Sequence, residues 1–442
     1  MNTGHMDVIV VGAGLAGAAA ALKLAKAGCN ITVIEARERC GGRGFLRRFA
    51  GDDIELEFGG AWITPWHTRL RTLVSEHGLS LRPRHAVTNR LWLRDGLLHT
   101  ESPAGVADIA AHERSIARVA ADAILLEKGV AENEKGEPLR GISFASYLDR
   151  LNLPKSTRDI FSAWWTVSGN GDHTLVAASE FLASCAYDNG LAEGMIRYWS
   201  DTVVPGMAAL AERMIAASGA ERWLSSPVTA IACDGDGIRV STNTGTLASR
   251  ACVLALGVNQ MKAIAFSPGL SPSKRDAITT GHGGRSFKLW LKLEGVAVGT
   301  LVTGDGKGIE FAFAERKAAD GSTLVVGFGL MADENRPGDP AWVRAQASRL
   351  FPNARLLAYD GHDWVDDPYA RGTWVAALAG FEAGLDHANW QPEGPLAFAS
   401  SDYARDQAGW FEGAVIAGED AADALLKLLV SLPLVGREVK WE

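Results

Sequence analysis

The stretch that decides the fold is Asp-Val-Ile-Val-Val-Gly-Ala-Gly-Leu-Ala-Gly at residues 7–17, which is followed by Ile-Thr-Val-Ile-Glu at residues 31–35. It predicts an apolar strand, a glycine turn that opens an alanine-rich helix, and a second strand that ends in an acid. A unit of this kind binds dinucleotides, because its glycines and its helix N-terminus can receive a pyrophosphate.

Each residue of this fingerprint has a predicted mechanical role. Gly12 allows the tight turn, Gly14 lets the backbone approach a pyrophosphate, and Gly17 lets helix and strand pack closely. Glu35 ends the second strand, where its carboxylate can accept hydrogen bonds from a ribose diol. The arrangement predicts a dinucleotide site near the N-terminus.

A second glycine-rich run favours a flavin over a nicotinamide. Residues 35–43 read Glu-Ala-Arg-Glu-Arg-Cys-Gly-Gly-Arg, and residues 57–62 read Glu-Phe-Gly-Gly-Ala-Trp. The first run resembles the Glu-Ala-Arg-x-Arg-x-Gly-Gly-Arg segment of the flavin-dependent amine oxidases, a family that includes monoamine, polyamine and L-amino acid oxidases. In these runs the glycine pairs would admit a flavin and an arginine would offset phosphate charge. Besides the fingerprint, the residues expected to bind FAD here are Arg37, Gly42, Arg43, Gly59, Gly60, Ala61 and Trp62.

Composition excludes several other classes of function. The chain has 442 residues and a net charge of −8, which gives no electrostatic case for nucleic acid or an anionic membrane. No run of about 18 apolar residues exists, so no transmembrane helix is expected. The five cysteines are scattered, and the ten histidines show no metal-binding spacing. We therefore expect no metal and a reducing, cytoplasmic location.

The chain is long enough for two structural domains, and its pattern indicates α/β structure with an added sheet. The amine oxidase resemblance implies a discontinuous, Rossmann-like FAD-binding domain and an α+β substrate-binding domain. It also implies that Val228 lies beside the adenine. The expected FAD-binding segments are 1–75, 200–285 and 380–442, and the expected substrate-binding segments are 76–199 and 286–379.

A lysine lies inside an apolar strand in the segment Gly-His-Gly-Gly-Arg-Ser-Phe-Lys-Leu-Trp-Leu at residues 281–291. In a strand, Lys288 shares one face with Trp290 and Lys292. A lysine in such a place needs a partner or a water. In the amine oxidase family the lysine at this position holds a water near flavin N5 and is linked to oxygen reactivity. The resemblance gives Lys288 that role; the alternative is a surface lysine whose stem lies along the strand.

Two segments near the C-terminus also resemble the family. Residues 364–372 match its Trp-x-x-Asp-Pro-x-x-x-Gly pattern, and residues 409–414 match its Gly-(Tyr/Trp)-x-Glu-Gly-Ala pattern. Relatives that bind flavin covalently have a cysteine where this chain has Thr373, so non-covalent FAD is expected. By resemblance, the backbone of Gly413 and Ala414 approaches the flavin, and Asp402 hydrogen-bonds its ribityl or phosphate region.

Two tryptophans from these segments are expected to form the reaction site. In the family, two aromatic residues stand face to face before the flavin, and here they would be Trp374 and Trp410. Such a slot aligns an amine with the flavin, and ring faces attract partial positive charge. The alternative is that both are core residues, in a chain with 14 tryptophans.

Within the family, the motifs most resemble bacterial secondary-amine oxidases of the 6-hydroxy-L-nicotine oxidase type. Those enzymes have a pyridine-binding asparagine where this chain has Thr166, and a tyrosine near Phe311 or Phe313. The replacements predict a more apolar pocket, which puts a nicotine-type substrate in doubt. Together with the two slot tryptophans, Thr166, Phe311 and Phe313 are the expected substrate-binding residues.

The activity that the resemblance implies is oxidation of a primary or secondary amine, cyclic or aromatic, to an imine or iminium. A hydride would pass to flavin N5, and oxygen would then be reduced to hydrogen peroxide. Three alternatives are an L-amino acid oxidase using Arg197 or Arg285 as carboxylate clamp, an amine dehydrogenase with a protein electron acceptor, and a non-enzymatic flavin module. Relatives are often dimers, so the resemblance allows a homodimer.

Overall fold

The protein is described from a computed structural model over residues 6–103, 108–186, 199–234 and 237–431. Its α-helices in this part of the chain are α1 (Leu15–Lys26), α2 (Thr68–Glu76), α3 (Ile109–Glu127), α4 (Phe144–Leu151), α5 (Lys155–Ser168), α6 (Ala178–Ala186), α7 (Met207–Ser218), α8 (Pro272–Thr280), α9 (Pro340–Leu350) and α10 (Phe411–Ser431). Its strands are β1 (Val8–Val11), β2 (Ile31–Ile34), β3 (Leu46–Arg48), β4 (Glu55–Glu57), β5 (Trp62–Ile63), β6 (Ser80–Pro83), β7 (Asn89–Arg94), β8 (Leu97–His99), β9 (Asp201–Val204), β10 (Glu221–Trp223), β11 (Val228–Asp234), β12 (Gly237–Thr242), β13 (Thr246–Ser249), β14 (Ala251–Leu254), β15 (Ala265–Ser267), β16 (Ser286–Glu294), β17 (Thr300–Thr303), β18 (Phe311–Lys317), β19 (Thr323–Leu330), β20 (Arg355–Gly361) and β21 (Leu396–Phe398).

The fingerprint strand lies at the centre of a parallel sheet with the order β10-β2-β1-β14-β21. Every residue of β1, β2, β14 and β21 is buried. Continuous apolar strands of this kind are typical of a parallel sheet that is covered on both faces. The five strands come from the N-terminal, central and C-terminal parts of the chain, so this sheet is built from discontinuous sequence.

Alternate residues of β1 separate two hydrophobic cores. Val8 and Val10 pack with the helices α1, α7 and α10 on one face of the sheet. Ile9 and Val11 pack on the other face with a smaller sheet of order β13-β12-β11-β15. The predicted hairpin pairs β11 with β12 in antiparallel fashion; its residues 235 and 236 lie outside the described part of the chain.

A second large sheet has the order β20-β16-β19-β18-β17-β7-β8, in which β17 and β7 are parallel and the other neighbours are antiparallel. On β16, Phe287 and Leu289 face a core that includes α9. Trp290 faces the opposite core, which includes residues of α3 to α6. Lys288 shares the face of Trp290 because side chains alternate along a strand.

The predicted fold class is confirmed by this arrangement and by the structural comparison reported below. The domain boundaries given above stay a prediction, as do the cellular location and the oligomeric state. Among the described residues, no helix combines the length and apolarity needed to cross a membrane.

Candidate active site

A cavity lies where the two glycine-rich runs, the strand β16 and the two C-terminal segments meet. The apolar part of its wall is largely aromatic, which is typical of a site for an apolar small molecule. The aromatic lining residues are Phe58, Trp62, Trp66, Trp165, Trp199, Phe287, Phe328, Trp364, Trp374, Trp410 and Phe411.

The glycine fingerprint has the geometry that a dinucleotide requires. Gly12 has φ +102°, and a β-carbon there would stand 2.5 Å from the carbonyl oxygen of Ala255. A β-carbon on Gly17 would stand 1.9 Å from the carbonyl oxygen of Gly12. Gly42 has φ +55°, and a β-carbon on it would lie 3.2 Å from Cα of Gly14. Gly14 caps α1 without a side-chain hydrogen bond, so the first amides of the helix can bind an anion.

Glu35 is buried and ties the end of β2 to the glycine turn. Its carboxylate accepts hydrogen bonds from the backbone N–H of Ala13 (2.8 Å) and of Arg37 (2.9 Å). A carboxylate has further lone pairs, so these bonds are compatible with the predicted ribose contact. That contact stays a prediction.

Arg37 links the first family segment to the second. Its guanidinium donates to the carboxylate of Asp367 over 2.7 Å. Burial would raise the pKa of Asp367, but hydrogen bonds from His362 and Arg37 outweigh it and hold that pKa well below its usual range. In this structure Arg37 therefore has a structural partner in addition to its predicted part in the FAD site.

Arg43 joins the glycine run to both C-terminal segments. It donates to the carbonyl oxygen of Thr373 (2.7 Å), to Oγ of Ser401 (2.9 Å) and to the carboxylate of Asp402 (2.7 Å). Asp402 is fully buried and also accepts the backbone N–H of Val258 at 3.1 Å. Burial raises its pKa, and Arg43 more than reverses this, so Asp402 is ionised at neutral pH.

Lys288 is buried in the cavity wall, where its ammonium donates to the carbonyl oxygen of Gly59 over 2.8 Å. Burial lowers its pKa to about 8, and the nearby carboxylate of Glu57 opposes this shift. The lysine is therefore mostly protonated at neutral pH, and the N–H groups not used by Gly59 can hold a water. The structure thus contradicts the alternative of a surface lysine.

The two predicted slot tryptophans line the same cavity. The indole N–H of Trp374 donates to the carbonyl oxygen of Ser168 over 2.9 Å. The ring of Trp410 lies 5.0 Å from the ring of His67, between centroids, at an interplanar angle of 59°. These contacts fix both rings, while their face-to-face arrangement before a flavin stays a prediction.

The remaining predicted flavin residues lie in the cavity wall, in the helix α10 or in the strand β11. Gly59, Gly60, Ala61 and Trp62 line it. A β-carbon on Gly60 would stand 2.7 Å from the ring of Phe411. Gly413 and Ala414 lie in the first turn of α10, and Val228 begins β11.

Three predicted substrate residues are not part of the described cavity wall. Thr166 instead contacts the imidazole of His173, with its hydroxyl 3.2 Å from Nε2. Phe311 packs behind Trp62, with ring centroids 6.4 Å apart. Phe313 packs against the guanidinium of Arg84 at 4.2 Å. Thr166 is absent from the cavity wall because the rotation of α5 about its axis directs neighbouring residues, not Thr166, toward the cavity.

Several lining residues were missed by the sequence reasoning. They are Trp165, Val167, Ser168, Glu180, Ser184, Trp199, Phe328 and Gln407. One usable signal was present: Glu180 and Ser184 are one turn apart in an otherwise small and apolar helix, α6.

Comparisons with known proteins agree with this site. Residues 15–426 match the family described as flavin containing amine oxidoreductase. The chain belongs to this family. It is 27% identical over 434 residues to the pseudooxynicotine dehydrogenase of Pseudomonas sp, covering 94% of this chain and 85% of that protein. It is 28% identical over 427 residues to the (S)-6-hydroxynicotine oxidase of Paenarthrobacter nicotinovorans, covering 95% and 99%.

The fold is shared with a solved structure of wild-type putrescine oxidase bound to putrescine. The TM-score is 0.82 at 23% identity, and the match covers 96% of this chain and 99% of that chain. The family predicted from the sequence is thus confirmed. Membership makes the chain a flavin-dependent oxidoreductase that acts on amines.

The Arg43–Asp402 pair gives a test of how the site is held together. We expect Arg43→Met to lower the free energy of unfolding by about 3 kcal/mol, because it leaves a buried carboxylate unpaired. Adding Asp402→Asn should restore at least half of the loss. The measurement is urea denaturation of both variants and the parent.

A matched control is Arg48→Met, since Arg48 pairs with Asp53 on the exposed surface. That variant should change the free energy of unfolding by less than about 1 kcal/mol. Equal losses in Arg43→Met and Arg48→Met would show that the buried pair has no special structural role.

Proposed function

We propose that the protein oxidises a primary or secondary amine, cyclic or aromatic, to an imine or iminium with non-covalently bound FAD, and that oxygen accepts the electrons. The observation that carries this proposal is the aromatic-lined cavity in which Lys288, Trp374 and Trp410 lie together with the glycine-rich run at residues 57–62.

The residues present fit a flavin dinucleotide. The fingerprint glycines and the N-terminus of α1, which has no side-chain cap, suit the pyrophosphate. Arg43 and Asp402 form an ion pair where the glycine-rich run meets the C-terminal segments. Thr373, which donates its hydroxyl proton to Asn170, cannot form a thioether, and the described lining residues include no cysteine. When bound, FAD would supply the hydride acceptor for the α-carbon of the amine.

The protein's own contribution is to orient the amine and exclude water. The rings of Trp374 and Trp410 would align a neutral amine, and the aromatic wall would keep solvent from the reacting carbon. Lys288 would hold a water and place a positive charge where oxygen is reduced. No protein nucleophile is needed for this chemistry.

An L-amino acid oxidase is less well supported. The side chain of Arg285 is exposed and is not among the described lining residues. Arg197 lies outside the described part of the chain. Arg43 lines the cavity, but it is already engaged by Asp402 and two other acceptors.

An amine dehydrogenase is the second candidate, because a relative of similar identity bears a dehydrogenase name. The two candidates differ only in the electron acceptor. Rapid mixing of the reduced protein with air separates them, since an oxidase reoxidises quickly and a dehydrogenase very slowly.

The proposed function is tested by recording the visible spectrum and adding amines without oxygen. A panel of cyclic amines, phenethylamines, nicotine derivatives, polyamines and L-amino acids should identify the class that bleaches the flavin band. Bleaching by L-amino acids alone, or by none of these compounds, would contradict the proposal. Flavin that stays attached after acid denaturation would contradict non-covalent binding.

The aromatic slot makes a prediction about turnover. Trp374→Ala and Trp410→Ala should each lower kcat/KM for the best amine at least about tenfold, because the amine loses its alignment. Trp342→Ala is the control, since Trp342 packs against Phe287 from α9 outside the cavity wall. Unchanged turnover in both slot variants would refute the slot.

Lys288 makes a prediction about pH. Its pKa is about 8, so its positive charge is present below that pH and is lost as pH rises through it. Reoxidation by oxygen should therefore slow as pH rises through about 8, and Lys288→Met should be slow at every pH. The control is Lys292→Met on the same strand, where the lysine pairs with Asp320. A pH profile shared by the parent and Lys288→Met would assign the titration to another group.

A further inference from the structure

The described wall of the cavity contains three charged side chains, and they differ in whether they have hydrogen-bond or ion-pair partners. Arg43 and Lys288 both have hydrogen-bond acceptors within 2.8 Å. Glu180, the one carboxylate among these lining residues, has no hydrogen bond or ion pair to any described residue. A half-buried carboxylate in an apolar cavity wall without a protein partner is costly, so its presence needs an explanation.

The surroundings of Glu180 disfavour its charge. Burial raises its pKa to about 7, and repulsion by Glu382 adds to the shift, while Arg140 opposes it. Glu382 is itself engaged, since it accepts the backbone N–H of Gly141 at 2.8 Å. A positively charged group in the cavity would relieve this cost by pairing with Glu180 in a low-dielectric setting.

Residues of α5 adjoin Glu180 in the cavity wall. Trp165 and Ser168 of α5 line the cavity with Glu180, and the indole N–H of the first and the hydroxyl of the second are buried without a partner. Ser168 also accepts the indole N–H of Trp374 through its carbonyl oxygen. Trp165 packs edge-on against Phe181, next to Glu180, with ring centroids 5.5 Å apart. The unsatisfied polar groups therefore adjoin the predicted aromatic slot.

We infer that Glu180 binds a second basic nitrogen of the substrate, so that the preferred substrates are diamines or amines with a distal protonated nitrogen. This inference rests on the proposed function. The reacting nitrogen lies neutral between the tryptophans, while the distal ammonium pairs with the carboxylate of Glu180. Glu180 is then a specificity residue contributed by a helix that supplies none of the predicted flavin-binding residues.

The test compares a homologous series of straight-chain α,ω-diamines with n-alkylamines of the same lengths on the holoenzyme. We expect the parent to prefer a diamine of one length over the matched monoamine in kcat/KM. Glu180→Gln should lower kcat/KM for that diamine at least about 30-fold, because the ammonium loses its charged partner, and should change the monoamine less than about threefold. Glu382→Gln is the matched control: it removes a charge that repels Glu180 and so favours its ionised form, and the diamine preference should stay the same or rise.

Two results would overturn the inference while leaving the proposed function intact. One is a parent enzyme that favours monoamines at every length, and the other is an equal loss for both substrates in Glu180→Gln. Failure of the proposed function is distinguishable, because then no amine bleaches the flavin.

Binding is measured independently of turnover, as the rise in Tm that each diamine causes in the holoenzyme. A rise that is present in the parent and in Glu382→Gln but absent in Glu180→Gln supports the subsite. A rise that Glu180→Gln retains, or no rise with any diamine, argues against it.

Discussion

The site depends on the buried ion pair between Arg43 and Asp402. Asp402 is ionised although it is completely enclosed, chiefly because Arg43 lies beside it and donates to it directly, while the backbone N–H of Val258 adds to the effect. The same guanidinium binds the carbonyl oxygen of Thr373, so one side chain holds three distant segments together. Loss of this pair would leave a buried charge and would also remove one of the hydrogen bonds that hold the segment carrying Trp374.

The cavity combines a wall rich in aromatic residues with a few charged side chains, and burial in this wall shifts the pKa values of Lys288 and Glu180. Burial lowers the pKa of the Lys288 ammonium and raises the pKa of the Glu180 carboxyl, so both groups titrate near neutral pH. Lys288 stays mostly protonated because Gly59 accepts from it and Glu57 lies close by. Glu180 has no hydrogen-bond or ion-pair partner among the described residues, and only the charge of Arg140 favours its ionised form.

Local features of the site could be predicted from the sequence, and long-range ones could not. The positive φ of Gly12 and the close approach at Gly17 follow from a strand, turn and helix that are contiguous. The pairing of Arg37 with Asp367 depends on residues that are far apart in the chain. Residue identity gives no register between such segments, so the sequence analysis did not predict this pair.

Helix rotation limits sequence reasoning in the same way. Thr166 was expected in the substrate pocket because of its position in the family pattern, but α5 turns it toward His173 and presents Trp165 and Ser168 to the cavity. A shift of one residue on a helix turns a side chain by about 100°. The packing of α5 against Phe181 fixes that angle. A sequence motif alone does not specify the rotation angle of the helix.

The discontinuous chain also separates the two tasks of the site. The parallel sheet and its glycine turns hold the predicted cofactor residues, whereas α5 and α6 supply the lining residues Trp165, Ser168 and Glu180 from a different part of the sequence. The helix α6 supplies none of the residues that form the Arg43–Asp402 junction. A substitution in α6 can therefore change the charge that meets the substrate without disturbing that junction. The fold can therefore keep one redox chemistry and vary the amine, and under the inference drawn above it is the carboxylate of Glu180 that selects the amine in this chain.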